Sequence, residues 1–345
     1  MEALLARPGA GRSALTAPGG RALSYLRLSV TDLCNLRCRY CMPLGGVPKL
    51  RHADILSYEE IRRLIDLALP LGLTKLRFTG GEPLVRKDLL AFLRLVRGQA
   101  PSLDLRLTTN GVLLEPVIPE LRAVGLGGLN LSLNALDPDV YAAMAGRPGA
   151  EGRELARRAR AGLQAAVRAG LPVKINCVPW RGLNDGQLLP LARLALDWPV
   201  EVRFIEHMPI GSGDLWRPEN FLSTAEVQAG LSRALGPLSA LDSPDPAAPT
   251  RRFSFAGAVG ALGFISGVSW PFCGACNRLR LTADGRLKPC LMTADEIDLR
   301  APLRAGADDA ALAALFQLAA GRKPLVRPAA AGRGTPGRPM SGIGG

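Results

Sequence analysis

Six of the seven cysteines fall into two triplets. Cys34, Cys38 and Cys41 form C-x3-C-x2-C, and Cys273, Cys276 and Cys290 form C-x2-C-x13-C. Thiolates hold soft metals, as zinc or as iron–sulfur clusters. Three thiolates are one short of a closed four-cysteine site. A triplet therefore leaves one metal position open to a small molecule, and two triplets predict two such centres. Zinc would need a fourth protein ligand. The chain has two histidines, His52 and His207, so a pair of Cys3His zinc sites is formally possible. A four-iron cluster with one open iron suits the first triplet better; for the second, an electron-relay cluster or structural zinc with an outside ligand stays open.

These residues need elements to position them. From Tyr25 the sequence alternates strand-like and helix-like stretches. Expected strands are 25–31, 74–79, 104–109, 129–134, 173–178 and 201–206. Expected helices are 57–70, 88–99, 115–124, 151–170, 185–197 and 223–235. Six β/α units in series predict an α/β fold with a parallel sheet, doubly wound or curled into a barrel. Residues 1–23, rich in Gly, Ala and Pro, read as a flexible N-terminal tail. Residues 24–236 form the expected β/α domain. Residues 237–345 read as an extension: a linker at 237–250, short strands at 252–256 and 260–265, the second triplet, a helix at 308–319 and a Pro/Gly/Arg-rich tail.

The strands of a parallel sheet are usually apolar because both faces are covered. Here they carry Arg27, Lys75, Arg77, Arg106, Lys174 and Arg203. An unpaired buried cation is costly. Strand residues two apart share a face, so Lys75 points with Arg77, and Arg106 with Thr108. The reading is a lumen lined with cations that holds a polyanion. In β/α barrels the functional loops sit at the C-terminal ends of strands. The first triplet, Gly80–Pro83, Thr108–Gly111, Ser132 with Asn134, and Glu206–Met208 all follow strands, so they are expected on one rim.

The net charge of +13 favours an anionic partner. No basic run with interleaved aromatics is present, which argues against nucleic acid. No apolar run reaches membrane-spanning length. Clustered cysteines and the absence of a signal-like N-terminus suggest the cytoplasm. Cys177 lies within a strand and reads as a small hydrophobe. His207 falls on the expected rim and reads as solvent-facing or core packing rather than proton transfer.

C-x3-C-x2-C with Tyr40 before its last cysteine, followed by Gly80-Gly81-Glu82-Pro83, resembles the signature of radical S-adenosylmethionine (SAM) enzymes. The resemblance extends over about residues 24–345 to the GTP 3′,8-cyclases of molybdenum cofactor biosynthesis. It is carried by LRLSVTDLCNLRCRYCMP, KLRFTGGEPLVRKDL, LTTNG, LSLNALD, VKINCV, FIEHMPIG, GFISGVSWPFCGACNRLRLTADGRLKPCL and the terminal MSGIGG. Leu33 and Leu36 stand where that family often has Arg and Phe.

The resemblance implies an incomplete (β/α)6 TIM-type barrel whose C-terminal α+β extension carries a second cluster. It implies two four-iron–four-sulfur clusters, on Cys34, Cys38 and Cys41 and on Cys273, Cys276 and Cys290. SAM on the first cluster would yield a 5′-deoxyadenosyl radical that takes the C3′ hydrogen of GTP. C3′ would then attack C8 of guanine to give 3′,8-cyclo-7,8-dihydro-GTP. Tyr40, Gly81, Ser132 and Met208 match SAM contacts. Arg27, Lys75, Arg77, Thr108, Lys174, Arg203, Arg278, Leu279 and Arg280 match GTP contacts, with Arg27, Arg278 and Arg280 as the catalytic set. The terminal Gly344-Gly345 would reach into the active site. Implied partners are a flavodoxin- or ferredoxin-type electron donor, the next enzyme, cyclic pyranopterin monophosphate synthase, and a second copy of the chain. The rival readings are a radical SAM peptide-modifying enzyme with an auxiliary cluster and a metal-bearing nucleic-acid-binding regulator.

Overall fold

The structure, a computed structural model, describes residues 14–43, 46–210, 216–243, 245–327, 338 and 340–344. Its centre is a run of eight mutually parallel strands. In chain order they are β1 (Tyr25–Ser29), β2 (Lys75–Thr79), β3 (Asp104–Thr109), β4 (Gly128–Ser132), β5 (Val173–Cys177), β6 (Glu201–Ile205), β7 (Ala261–Ile265) and β8 (Arg278–Leu281). The strands β1 to β6 pair in sequence order. That is the six-unit series expected from the sequence.

The other two parallel strands come from the extension and join opposite edges. β7 pairs with β6, and β8 pairs with β1. The sequence reading had 260–265 as a short strand but gave 278–281 no element. Antiparallel strands Arg251–Ser254 and Ser239–Leu241 continue beyond β7, so part of the expected linker is strand. Arg286–Lys288 and Ile297–Asp298 continue beyond β8. The full sheet has twelve strands and stays open, because β7 and β8 do not pair with each other.

Helices cover the outer face. They include α1 (Tyr58–Ala68), α2 (Leu89–Gln99), α3 (Ile118–Ala123), α4 (Pro138–Met144), α5 (Ala150–Arg168), α6 (Leu188–Asp197) and α7 (Thr224–Leu235). The sequence reading lacked only α4 among them. Ser57 and Ser223 start α1 and α7 with capping boxes, each reciprocated by a glutamate three residues on. Period-two alternation along the strands sorts the faces. Leu26, Leu28, Leu76, Phe78, Leu105, Leu107, Leu129, Leu131 and Ile175 are buried on the helix side. Among the described residues no helix is long and apolar enough to cross a membrane.

One expectation fails locally. Residues 1–13 lie outside the described residues, but 14–23 are not a loose tail. Thr16–Ala17 and Arg21–Ala22 pair as a small hairpin. It is held because Leu15, Ala17 and Leu23 are buried, and because the Arg21 guanidinium donates to the carbonyls of Cys273, Gly274 and Pro324. Composition alone hides this, since the partners lie about 250 residues away.

The hairpin thus buttresses the loop of the second cysteine triplet. Arg21→Ala strands three carbonyls, at a cost of about 1–3 kcal/mol. We expect a lower unfolding midpoint and faster alkylation of the second-triplet thiols, with the first triplet unaffected. Denaturant unfolding and thiol labelling check this.

Candidate active site

The inner face of the eight strands is polar and lines one cavity of about 560 Å3. All eight strands contribute to it. Arg27, Lys75, Arg77, Arg106, Lys174, Arg203, Arg278 and Arg280 all face it. So do Thr108 and the proposed SAM-contact residues Tyr40, Gly81, Ser132 and Met208. All six triplet cysteines line the same space and are free thiols. The lumen expected from the strand cations is therefore present. Leu279 is the exception among the expected site residues. It is 3% exposed and lies on the other face of β8, so only its backbone is near the cavity.

The cations are held by acids and carbonyls that the sequence reading did not single out. Buried Glu201 pairs with Arg203, with Arg252 at 3.1 Å and with Lys174 at 3.8 Å. Its signal was available, because E-x-R at the start of a strand puts both groups on one face. Arg77 donates to the Tyr25 hydroxyl at 2.5 Å, to the Leu107 carbonyl at 3.1 Å and to Thr108 Oγ1 at 3.4 Å. Arg106 pairs with Asp104 at 2.7 Å, and Lys75 with Asp245 at 2.8 Å.

Crowding and burial shift these groups together. Burial, then neighbouring Arg280, pull Arg27 down to about 9. Burial and Arg278 pull Arg280 down to about 10. Burial and Arg203 pull Lys174 down to about 8. Tyr25 moves the other way for its class. Burial opposes its ionisation, but Arg77 and Arg27 outweigh it and bring the phenol to about 7. The lumen is electrostatically prepared for an anion.

The first triplet sits on the loop after β1, pinned at several points. Gly81 N–H donates to Thr31 O and Glu82 N–H to Leu33 O, both at 2.8 Å. A Cβ on Gly81 would lie 2.3 Å from Leu33 O, so only glycine allows this approach. Arg37 and Arg39 N–H bond the carbonyls of Ala145 and Met144 at the end of α4. Asn110 Nδ2 donates to Asn35 Oδ1 at 2.7 Å, tying the loop to the end of β3. Glu82 is 1% exposed and accepts from Thr109 Oγ1 and Asn110 N–H at 2.7 Å and from Leu84 N–H at 3.1 Å. Burial still pushes its carboxyl up to about 7.

The second triplet spans the start of β8 and the turn after Arg286–Lys288. Buried Lys323 donates to the carbonyls of Arg278 at 2.7 Å and Pro289 at 2.9 Å, clamping the two segments that carry Cys276 and Cys290. Burial alone would raise Cys276, but Arg278 and Lys323 bring it down to about 7. The thiols of the first triplet are higher. Burial raises Cys34 to about 11, and burial with Cys34 raises Cys38 to about 12.

The donor chemistry fits iron–sulfur clusters. Each triplet supplies three free thiols and backbone N–H groups aimed at sulfur, from Leu36 to Cys34 and from Met292 to Cys290, each at 3.4 Å. Among the described residues no three His, Cys, Asp or Glu side chains converge as they would around a single metal ion.

The chain's end enters this space. Ile343 and Gly344 are buried, and the Gly344 carbonyl accepts from Arg280 at 2.7 Å and Arg27 at 3.4 Å. Gly344 has φ +70°, and a Cβ there would lie 2.6 Å from Thr79 Oγ1. Both facts require glycine. Gly345 lies outside the described residues. Arg338 anchors the approach by pairing with Asp284 at 2.8 Å and Glu296 at 2.8 Å.

The fold and the two thiol triplets define a radical SAM enzyme. Residues 28–195 match the Radical SAM superfamily model, and residues 200–326 match Molybdenum Cofactor Synthesis C. The chain superposes on the crystal structure of Streptococcus suis SuiB bound to S-adenosylmethionine with a TM-score of 0.60 at 13% identity, covering 85% of this chain and 67% of that one. That likeness shows the fold. A GTP 3′,8-cyclase of Heliobacterium modesticaldum is 45% identical over 88% of this chain and 91% of its own length. One from Pelotomaculum thermopropionicum is 46% identical over 88% and 92%. One from Gloeobacter violaceus is 41% identical over 94% and 99%. The chain belongs to the GTP 3′,8-cyclase family.

His207 and Cys177 are placed as the sequence suggested. Cys177 is fully buried. His207 is 4% exposed and stacks on Trp180 with ring centroids 4.9 Å apart. Burial lowers its pKa from 6.5 to about 4. A depressed folded-state value gives stability that is present above pH 6.5 and lost as pH falls through 4. His207→Phe keeps the stack and removes the titration. It is expected to lessen the loss of stability between pH 7 and pH 4.5 by about 2–3 kcal/mol, read by denaturant unfolding at the two pH values.

Proposed function

We propose that this chain converts GTP to 3′,8-cyclo-7,8-dihydro-GTP, the first step of molybdenum cofactor biosynthesis. The observation that carries the assignment is that both cysteine triplets and eight cationic side chains of the parallel strands line one cavity. A peptide substrate would not call for eight such groups. A nucleic-acid regulator would present them outward rather than inside a barrel.

Cys34, Cys38 and Cys41 would hold the first cluster, and Cys273, Cys276 and Cys290 the second. When bound, the first cluster would supply the electron for reductive cleavage of SAM, the source of the radical chemistry at C3′ of GTP. Around it the chain does the positioning. Tyr40, Gly81, Ser132 and Met208 seat SAM at the C-terminal rim of the strands, where the Gly80–Gly81 backbone permits close approach. Arg27, Lys75, Arg77, Thr108, Lys174, Arg203, Arg278 and Arg280, with the Leu279 backbone, hold GTP. The arginines suit bidentate phosphate contact, and the lysines act as point charges. The triphosphate brings negative charge to Arg27 and Arg280, whose proton affinity is lowered by burial and by neighbouring arginines. Arg27, Arg278 and Arg280 also reach the reacting part of the nucleotide. Barrel, extension and chain terminus exclude water from the radical. A flavodoxin- or ferredoxin-type donor, transfer of product to cyclic pyranopterin monophosphate synthase, and a homodimer complete the reading.

Anaerobic product analysis tests it. Reconstituted protein with SAM, reductant and GTP is expected to give 5′-deoxyadenosine and a species isomeric with GTP, while ATP gives no such product. Cys34→Ala is expected to abolish SAM cleavage. Cys276→Ala is expected to keep slow SAM cleavage and lose the cyclic product. Normal cyclisation by Cys276→Ala would overturn the role given to the second triplet.

The terminus gives a separate expectation. Deleting Gly344 and Gly345 removes the carbonyl held by Arg27 and Arg280 but no thiol. Iron content and SAM binding are expected to stay intact while cyclisation is lost, as measured by iron assay, SAM titration and product yield.

A further inference from the structure

The parallel arc is open, and at its N-terminal end one segment crosses the gap. The antiparallel strands Ser239–Leu241 and Arg251–Ser254 lie beyond β7 at one edge. Residues 245–250 of the turn between them reach the other side of the arc. Asp245 Oδ2 lies 2.8 Å from Lys75 Nζ on β2. The Ala247 carbonyl accepts from Arg278 on β8 at 3.0 Å. Arg252, at the foot of the turn, is fixed on Glu201 at 3.1 Å. Asp245, Ala247, Ala248, Pro249 and Thr250 all line the cavity.

Two of the lumen cations are thus occupied by an acid and a carbonyl from a single turn. The pairing differs from that of Glu201. Glu201 is 7% exposed and sits between three cations, two of them on its own and the neighbouring strand, as a structural counter-ion. Asp245 is on a turn, its side chain is 36% exposed, and its only ion-pair partner among the described residues is Lys75. The pair is only partly buried, with side chains 21% and 36% exposed, so solvent screens it and a competing anion can take the carboxylate's place. Lys75 also lies 5.5 Å from the Tyr25 ring, so it is held in place when its carboxylate leaves.

We infer that Asp245 is a specificity-determining residue: its carboxylate stands on Lys75 and competes there with a phosphate group of the substrate. This rests on the reading of the lumen as a GTP site. A phosphate brings more charge than one carboxylate and can meet further cations, so a nucleotide triphosphate displaces Asp245. A nucleoside without phosphates offers no replacement charge and leaves the turn in place.

The test is calorimetric binding of GTP and guanosine to the reconstituted protein, without reductant. Asp245→Asn is isosteric and removes only the charge. It is expected to tighten GTP binding about two- to fivefold and leave guanosine unchanged. Lys75→Met is expected to weaken GTP binding, and Asp245→Asn added to it should then have no effect. Hydrogen exchange over 245–250 should rise with GTP and not with guanosine. Unchanged or weaker GTP binding by Asp245→Asn, or equal tightening of guanosine, overturns the inference. Wild-type protein that binds no GTP would instead overturn the cyclase reading itself.

Discussion

Eight cations of the parallel strands share one low-dielectric lumen, and the rest of the structure answers that constraint. Two like charges 4 Å apart repel by about 4 kcal/mol at an effective dielectric of 20. Such a set cannot be buried without counter-charge. The protein meets the demand partly from within, through Glu201, Asp104, Asp245, the Tyr25 hydroxyl and the carbonyls of Leu107, Ala247 and Gly344. The remainder shows as the depressed proton affinities of Arg27, Arg280 and Lys174. A polyanion bound there, as proposed for GTP, would relieve it. On that proposal, substrate binding and lumen stability are the same electrostatic problem.

The extension matters for the same reason. An arc of six strands would leave Arg27 on an edge strand open to solvent. β8 covers that edge and brings Arg278 and Arg280 beside it in register, with Arg280 opposite Arg27. The same strand begins at the second cysteine triplet. Placement of the second cysteine triplet and completion of the cationic wall thus come from one pairing. Lys323 and Arg21 hold that corner from behind by bonding its backbone carbonyls.

Much was legible in the sequence because it is recorded locally. The thiol spacings, the Gly80–Pro83 turn and the alternation of strand and helix depend on neighbours within a few residues. The inward direction of Lys75 with Arg77 follows from the two-residue period of a strand. Short pieces carried less signal. Arg278–Leu281 has four residues and two charges, so only its pairing with β1 makes it a strand. Residues 14–23 read as a tail because their composition is poor in periodic apolar positions, whereas burial of Leu15, Ala17 and Leu23 orders them.

By itself the sequence determined which atoms are present to do chemistry: two sets of three thiols, a glycine turn, cations on strand faces and a glycine terminus. The tertiary structure decided which of them meet. It put both triplets on one cavity, set Glu201 among three cations, placed Asp245 on Lys75 some 170 residues away and laid Gly344 between Arg27 and Arg280. The division has a physical cause. Local spacing follows from backbone geometry that each residue imposes on its neighbours, whereas these contacts exist only once the strands have paired and the sheet has curved around the charge.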